Sequence, residues 1–369
     1  MEDLIFLIFC LLSIIDIKIK GFNQYFNDYM ELKNTNAIKG IFVWMIVLSH
    51  YRGYYKSNKI YIYRTILNYL GQKMVSLFLF YSGFGIYESI KNKGIKYIRT
   101  LPRKIIILFI KTQIIIFIFF LNNLLLGIKT KLKNYFLSII FISSIGNSNW
   151  FAFTIISFYF YAFISFIFIK NEKKFFLGIL IITIINFFHV FFVYNYFYPK
   201  MRFTIDNTLC FIIGLYYSLF KKYFDKIIMK NDIIYIGNIS FFILIYYYYY
   251  VYQKKTVLIV SITNSIFCLI IVIISMKIRF NNEFLNLLNS HSFSIYLLQR
   301  VVMRFIYFKK FFKNNEFIRF FFEFTTILFI SLLFDNYTSF IDKYFKNTNQ
   351  NKHNFFNKNE ESLIIINNK

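Results

Sequence analysis

The chain has 369 residues, of which 58% are hydrophobic and 16% charged, and its formal net charge is +26. A water-soluble fold cannot bury so large an apolar share, so a soluble globular protein is excluded. The excess of Lys and Arg would suggest nucleic acid in a soluble chain, but here these residues lie in short loops between apolar runs. Anionic lipid head groups suit that placement better, so we expect the lipid bilayer, and no nucleic acid, as their partner.

Apolar runs of about twenty residues recur along the chain, which is the length that a membrane-crossing α-helix needs. Period-two alternation is absent, which argues against a β-barrel. The sequence therefore predicts an all-α fold, a polytopic transmembrane bundle of about ten core helices plus an N-terminal extra helix. The predicted helices are Leu4–Ile17, Lys39–Tyr51, Met74–Ile90, Ile105–Gly127, Trp150–Ile169, Phe175–Tyr194, Phe203–Phe220, Ile233–Tyr252, Thr256–Met276, Phe284–Met303 and Phe317–Phe334.

Three further stretches complete the predicted organisation. Residues 1–33 form a membrane anchor helix and connector, since Leu4–Ile17 follows two acidic residues and lacks a cleavage site. Residues 34–334 form the membrane domain, inside which Phe136–Ile145 is too short to span and is predicted to be interfacial or half-membrane. Residues 335–369 form a cytoplasmic tail, rich in Asn and Lys at its end and predicted to be disordered.

The densest group of basic residues predicts the orientation. Six Lys and Arg residues lie within Lys91–Lys104, and loops of this kind face the cytoplasm. We therefore expect a multi-pass protein of the cytoplasmic membrane with this loop inside. The three Cys residues lie in apolar segments without paired spacing, so we expect neither a disulfide nor a metal site.

Ionisable groups inside membrane helices are costly, so each is a candidate functional residue. Lys39 and His50 are 11 residues apart in one predicted helix, which places them on one face, about 20° and about 16 Å apart. A cation at one end and a base at depth could address two parts of one long substrate. A Lys that snorkels to one interface and a His that borders the other would give the same spacing.

Four further segments follow the helix of Lys39 and His50 in the sequence. They are Leu77–Phe84, Tyr97–Lys104, Asn149–Phe151 and Ser292–Gln299. Together the five segments resemble the membrane acyltransferase type 3 family. The family's Arg, ten residues and His of the first core helix correspond here to Lys39 and His50. The other four resemble, in order, its Phe-rich Ser-Gly-Phe helix, the basic stretch after it, its Leu-Trp-Phe helix start and its late Ser-x-x-x-Tyr-Leu-Leu-His motif.

The resemblance implies an integral membrane O-acyltransferase that moves an acyl group, expected to be acetyl, from acyl-coenzyme A to a hydroxyl of a cell-surface or exported glycan. It implies His50 as the general base, with Lys39 as a positioning charge. Acetyl-coenzyme A or another acyl-coenzyme A is then a substrate, and no bound cofactor is expected. The acceptor would be a carbohydrate or a lipid-linked glycan, and the oligomeric state stays open. The branch of fucose 4-O-acetylase-like enzymes is the most similar one.

Other site residues follow from the same resemblance. The donor's phosphates are expected to meet Arg99, Arg103 and Lys104, although a basic cytoplasmic loop would carry such residues in any case. Candidates for the cavity wall, with packing as the alternative role, are Ser82, Asn149, Trp150, Ser292, Tyr296 and Gln299.

Three departures from the family pattern are Lys39 for Arg, Gln299 for a frequent His, and Asn149 before Trp150. A Lys keeps the charge but lacks the bidentate fork of an Arg. The main alternative function is a transporter or flippase of lipid-linked sugars. It would predict inverted repeats or interrupted helices in both halves of the chain, and neither is evident in the sequence.

Overall fold

Long apolar runs with few Gly and Pro form helices along nearly the whole chain, as a computed structural model of the protein shows. The structure describes residues 2–55, 66, 70, 72–169, 171–198, 201–252 and 256–367, without the side chains of residues 2, 172 and 346–367. Two strands of two residues, β1 (Lys18–Ile19) and β2 (Ile278–Arg279), form an antiparallel pair. The predicted all-α class is confirmed.

The helices are numbered here in chain order. They are α1 (Glu2–Ile14), α2 (Leu32–Tyr54), α3 (Lys73–Lys93), α4 (Ile95–Ile98), α5 (Leu101–Leu125), α6 (Leu132–Ile139), α7 (Trp150–Ile167), α8 (Phe175–Phe197), α9 (Arg202–Ile205), α10 (Thr208–Ile228), α11 (Asp232–Tyr252), α12 (Val257–Ser275), α13 (Glu283–Ser290), α14 (Ser292–Lys309) and α15 (Glu316–Asn367). A 3₁₀ turn, Glu172–Lys174, precedes α8.

Within the described part of the chain, seven helical segments are long and apolar enough to cross a membrane. We predicted eleven, and the difference lies in α1, α2, α3 and α14. The helix α1 has only 13 residues. The helices α2, α3 and α14 have 23, 21 and 18 residues but are more polar than the seven. Their polar residues are largely enclosed by other helices, and these three helices build the candidate site.

Two helices that we predicted to be continuous are interrupted. The prediction Phe284–Met303 is wrong at His291, where α13 ends and α14 begins. Ser and Asn side chains compete for backbone hydrogen bonds, and Ser290 Oγ donates to Leu287 O at 2.7 Å. The prediction Phe203–Phe220 is interrupted between α9 and α10, where Asn207 Nδ2 donates to Phe203 O at 2.6 Å.

Glycine contacts bring the central helices close together. A Cβ atom on Gly83 of α3 would lie 2.1 Å from Phe211 O of α10, and one on Gly214 of α10 would lie 2.1 Å from Phe80 O of α3. Gly40 of α2 meets the backbone of α13 in the same way, at 2.1 Å from Leu285 O. Small residues permit such close approach of membrane helices. These contacts fix α2 and α3 around the candidate site.

The N-terminal segment packs on the membrane domain. Trp44 Nε1 of α2 donates to Ser13 Oγ of α1 at 3.0 Å. The Phe9 ring lies 4.9 Å from that of Phe324. Near the strand pair, Asp232 accepts a hydrogen bond from Tyr25 and pairs with Lys277, each at 2.6 Å. Burial of the α1 aromatic face and this polar network hold residues 2–31 on the bundle.

The last helix continues past Phe334, the predicted end of the membrane domain. Ile341 is buried, and Asp335 and Asp342 bind side chains of other elements. Residues 335–345 thus continue the last helix and contact the bundle, while the disorder predicted for the tail stays a prediction. The backbone is helical to Asn367, and the cytoplasmic placement of the tail stays a prediction.

Candidate functional site

The helix α2 is continuous from Leu32 to Tyr54, so Lys39 and His50 lie on one helix as the sequence predicts. His50, near the end of α2, lines the same cavity as Met74 at the start of α3, and Lys39, nearer the start of α2, lines the same cavity as Ser82 farther along α3. The two helices therefore run in opposite directions. We refer to these two sides of the bundle as the Lys39 side and the His50 side. Each of the two residues lines a cavity of its own.

The cavity around Lys39, here the inner cavity, has a volume of about 270 Å³ and lies between α2, α3, α7 and α14. It brings together four of the predicted site residues besides Lys39. They are Ser82, Ser292, Tyr296 and Gln299.

Several polar groups of the inner cavity have unused hydrogen-bonding capacity. Gln299 is fully buried, and its Nε2 donates to Tyr296 O at 2.9 Å. Neither the Gln299 Oε1 nor the buried Tyr81 hydroxyl has a hydrogen-bond partner in the part of the chain that the structure describes. No ion pair of Lys39 occurs among the described residues. Buried polar groups are normally satisfied, so these three groups suit a polar ligand in the cavity.

The cavity around His50, here the outer cavity, has a volume of about 640 Å³. Trp150 and Asn149 of the predicted set line it, together with Arg300. Its remaining walls are rich in neutral hydroxyl and amide groups, from Ser49, Gln72, Asn134, Ser143, Ser144, Asn147 and Ser148.

The inner and outer cavities share three wall residues, Ile46, Val75 and Tyr296. The Tyr296 ring stands edge-on to the His50 ring, with the centroids 6.4 Å apart, and packs on Phe151 at 5.1 Å. Ile46 lies between Lys39 and His50 on α2. The two cavities therefore adjoin at this wall, with Lys39 on one side of it and His50 on the other.

The structure shows a direct contact between His50 and Arg300 that we did not predict from the sequence. Arg300 of α14 approaches His50 Nδ1 with its Nη2 at 3.2 Å and its Nε at 3.4 Å. A guanidinium group only donates, so Nδ1 is the acceptor and the ring proton is assigned to Nε2. Arg300 directly follows the predicted motif, and an arginine within an apolar segment is itself a signal of function.

Asn149 acts on the loop beside the outer cavity. Its Nδ2 donates to Ser143 O at 2.9 Å and lies 3.4 Å from Ser138 O and Oγ. The segment Phe136–Ile145, predicted to be interfacial or half-membrane, contains the end of α6 and the turns that follow. These turns form part of the cavity wall, and Asn149 holds them against the start of α7.

The predicted donor residues separate in the structure. Arg99 is exposed, between the end of α4 and the start of α5. Arg103 Nη2 donates to Asp342 O at 2.8 Å. Lys104 lies over the Tyr97 ring at 4.3 Å and donates to its hydroxyl at 3.1 Å. Of these three cations, only Lys104 lines a described cavity.

That third cavity, here the entrance cavity, has a volume of about 520 Å³ and shares Leu108, Tyr159 and Phe293 with the inner cavity. Lys111, which we did not predict, also lines it and pairs with Asp342 at 2.8 Å. The entrance, inner and outer cavities thus adjoin one another in that order, from the Lys39 side to the His50 side.

A polar cluster lies at the entrance cavity. Asp335 binds His291 Nδ1 at 2.5 Å through Oδ2 and accepts a hydrogen bond from Ser294 through Oδ1. The break between α13 and α14 places His291 there. No cluster of three or more His, Cys, Asp or Glu residues with metal-binding geometry occurs in the ranges that the structure describes.

Comparison with models of protein families gives a match over most of the chain. Residues 32–335, which are most of the chain, match the model of a protein family described as an acyltransferase domain. No curated protein and no solved structure matches the chain.

Proposed function

Because the chain belongs to the membrane acyltransferase type 3 family, we propose that it transfers an acyl group, expected to be acetyl, from acyl-coenzyme A to a hydroxyl of a cell-surface or exported glycan. The protein is a multi-pass membrane acyltransferase. The donor, the acceptor, the role of His50 and residence in the cytoplasmic membrane belong to the proposal. This family assignment favours an acyltransferase over the alternative of a sugar transporter.

One observation carries the proposal, namely the adjoining entrance, inner and outer cavities. Lys104 and Lys111 lie at one end, Lys39 in the middle and His50 at the other end. A long donor with phosphates at one end and a thioester at the other matches this order of charges. Its phosphates would meet the lysines, and its thioester would reach the wall at Tyr296.

The narrow inner cavity suits the connecting arm of acyl-coenzyme A, which contains two amide groups. The Gln299 Oε1 and the Tyr81 hydroxyl are available to such amides, since neither has a partner among the described residues. The Lys39 ammonium, in the same cavity, would hold a donor oxygen atom. This arrangement would leave the acyl carbon near the outer cavity, where an acceptor glycan enters from the opposite side.

In the proposed reaction His50 removes the proton from the acceptor hydroxyl, and the alkoxide oxygen attacks the carbonyl carbon of the thioester. The tetrahedral intermediate then expels the coenzyme A thiolate, which takes up the proton. Nδ1 is the nitrogen of His50 with the free electron pair, but Arg300 faces it at 3.2 Å. The acceptor hydroxyl must therefore replace the Arg300 contact before the proton can be transferred there.

The proposal is tested by mass spectrometry of surface glycans from cells with and without the gene. We expect glycans of the producing cells to be heavier by one acetyl group at a defined sugar. Identical glycan masses, together with no release of coenzyme A by the purified protein in liposomes that contain an extract of these glycans, would contradict it.

A further inference from the structure

Arg300 is the one permanently charged side chain among the described residues that line the outer cavity, and none of them is Asp or Glu. Within the described ranges, no carboxylate lies within 4.0 Å of its guanidinium group. Among the described residues, its guanidinium group donates to the imidazole of His50. A neutral ring nitrogen is one acceptor, whereas a guanidinium group offers five N–H donors.

A positive charge at membrane depth is costly unless an anion balances it. The carboxylates of this chain that meet cations lie elsewhere, as with Asp342 and Lys111 or Asp206 and Arg202. Among the described residues, Arg300 therefore has no anionic partner. Arginine is also the side chain that binds carboxylate or phosphate with two parallel hydrogen bonds.

The other described residues that line the outer cavity carry no permanent charge. Their hydroxyl and amide groups suit sugar hydroxyls, and Trp150 and Tyr296 offer aromatic surface to sugar rings. The volume of about 640 Å³ lies in the usual range of small-molecule sites. A guanidinium group among neutral polar side chains suits a ligand that carries an anionic group.

We propose that the acceptor of this enzyme is an anionic sugar, whose carboxylate or phosphate binds Arg300 and thereby frees His50 Nδ1 for the reacting hydroxyl. That the anionic sugar is an acyl acceptor rests on the proposed function, whereas the binding of an anion to Arg300 does not. Arg300 then has two partners in turn. In the empty enzyme it donates to His50 Nδ1, and in the complex it donates to the anion. A neutral sugar does not displace this contact, so His50 Nδ1 still accepts the hydrogen bond from Arg300.

Binding to the purified full-length protein in lipid nanodiscs, without any acyl donor, tests the anion site. The probes are methyl glucuronide, glucose 6-phosphate and the neutral methyl glucoside, measured by calorimetry. We expect at least one anionic sugar to bind tenfold or more tightly than methyl glucoside. Which of the two does so distinguishes a carboxylate from a phosphate ligand.

Substitutions test whether the preference for an anionic sugar depends on Arg300. Arg300→Gln should remove the preference for the anionic sugar and leave the affinity for methyl glucoside within about twofold. Lys309→Gln is the matched control, because Lys309 is an exposed cation on the same helix and lines none of the cavities. It should keep the preference. Equal affinities of all three sugars for the unmodified protein would overturn the proposal without reference to any variant.

Nitrogen NMR of the histidine side chains provides a second measurement. If Arg300 had only a structural role, binding of an anionic sugar would not change the His50 signals. The chain has 4 His residues, so the His50 signals can be assigned by their loss in His50→Gln. The anionic sugar should shift the Nδ1 signal of His50, and methyl glucoside should not. Equal shifts with both sugars would contradict release by the anion. If the preference and the shift are observed but no acyl transfer occurs, only the proposed function fails.

Discussion

His50 is the residue with the most direct test, because the proposed reaction needs a group that accepts a proton from the acceptor. We expect His50→Ala to lower the transfer rate by about 10²–10⁴-fold, the usual contribution of a general base. His189→Gln is the matched control, since His189 also lies in an apolar helix but bonds to Tyr161 at 2.8 Å and lines none of the cavities. Transfer at a near-normal rate by His50→Ala, in protein of normal thermal stability, would exclude the assignment.

Substitution of Lys39 tests whether the inner cavity binds the acyl donor. We expect Lys39→Ala to raise the KM for acyl-coenzyme A, because its ammonium is the cation of that cavity and would hold the donor. Lys39→Arg should retain activity, since it keeps the charge and adds the planar fork that other family members are expected to use. The measurement is a series of initial rates against donor concentration. An unchanged KM in Lys39→Ala would leave Lys39 as an interface anchor.

The entrance cavity distinguishes between basic residues that the sequence predicts equally well as phosphate contacts. Lys104 lines this cavity, whereas Arg99 is exposed outside it. We therefore expect Lys104→Gln to raise the KM for acyl-coenzyme A severalfold and Arg99→Gln to leave it unchanged. Both variants remove one positive charge from the same basic stretch. Equal effects of the two substitutions would indicate a diffuse electrostatic contribution in place of a defined phosphate site.

At the scale of elements, the contact of α3 with α10 depends on two glycines that face each other's backbone. A Cβ atom on Gly83 would lie 2.1 Å from Phe211 O, so the helices must move apart. We expect Gly83→Ala to destabilise the protein by about 1–3 kcal/mol, the usual cost of overpacking. Gly85→Ala, on the same helix with nothing within 4 Å of its Cβ position, should be neutral or slightly stabilising because Ala favours helix.

Thermal unfolding of the purified variants in one detergent measures this difference. A lower Tm for Gly83→Ala than for Gly85→Ala is the expected result. Transfer activity of Gly83→Ala should also fall, since Ser82 of the inner cavity lies on the same turn of α3. Equal Tm values for the two variants would show that α3 and α10 can separate at no cost.

For the whole molecule, orientation is the open question that the sequence addresses. We expect Lys91–Lys104 to face the cytoplasm, because basic loops are retained there. A Cys placed at Asn92 in a Cys-free protein should stay unlabelled by an impermeant thiol reagent on intact cells. A Cys at Asn314, exposed between α14 and α15 on the His50 side, should be labelled. The reverse pattern would invert the whole topology, since both sites belong to one bundle.

The sequence by itself determined the all-α membrane fold and the family, because both depend on local properties. Run length and apolarity decide whether a segment is a membrane helix, and the order of short motifs is a property of the chain alone. The relation of Lys39 to His50 was also available in advance, since helix geometry fixes the direction of residues on one continuous helix.

Only the tertiary structure decided which residues meet from different helices. Arg300 and His50 are 250 positions apart, and no periodicity predicts a contact between α14 and α2. Lys104 lines the entrance cavity and Arg99 is exposed, and this difference depends on which elements pack beside the basic stretch. The break at His291 depends on local competition for backbone hydrogen bonds. Side-chain contacts across helices follow from packing, which the linear pattern of apolar residues does not specify.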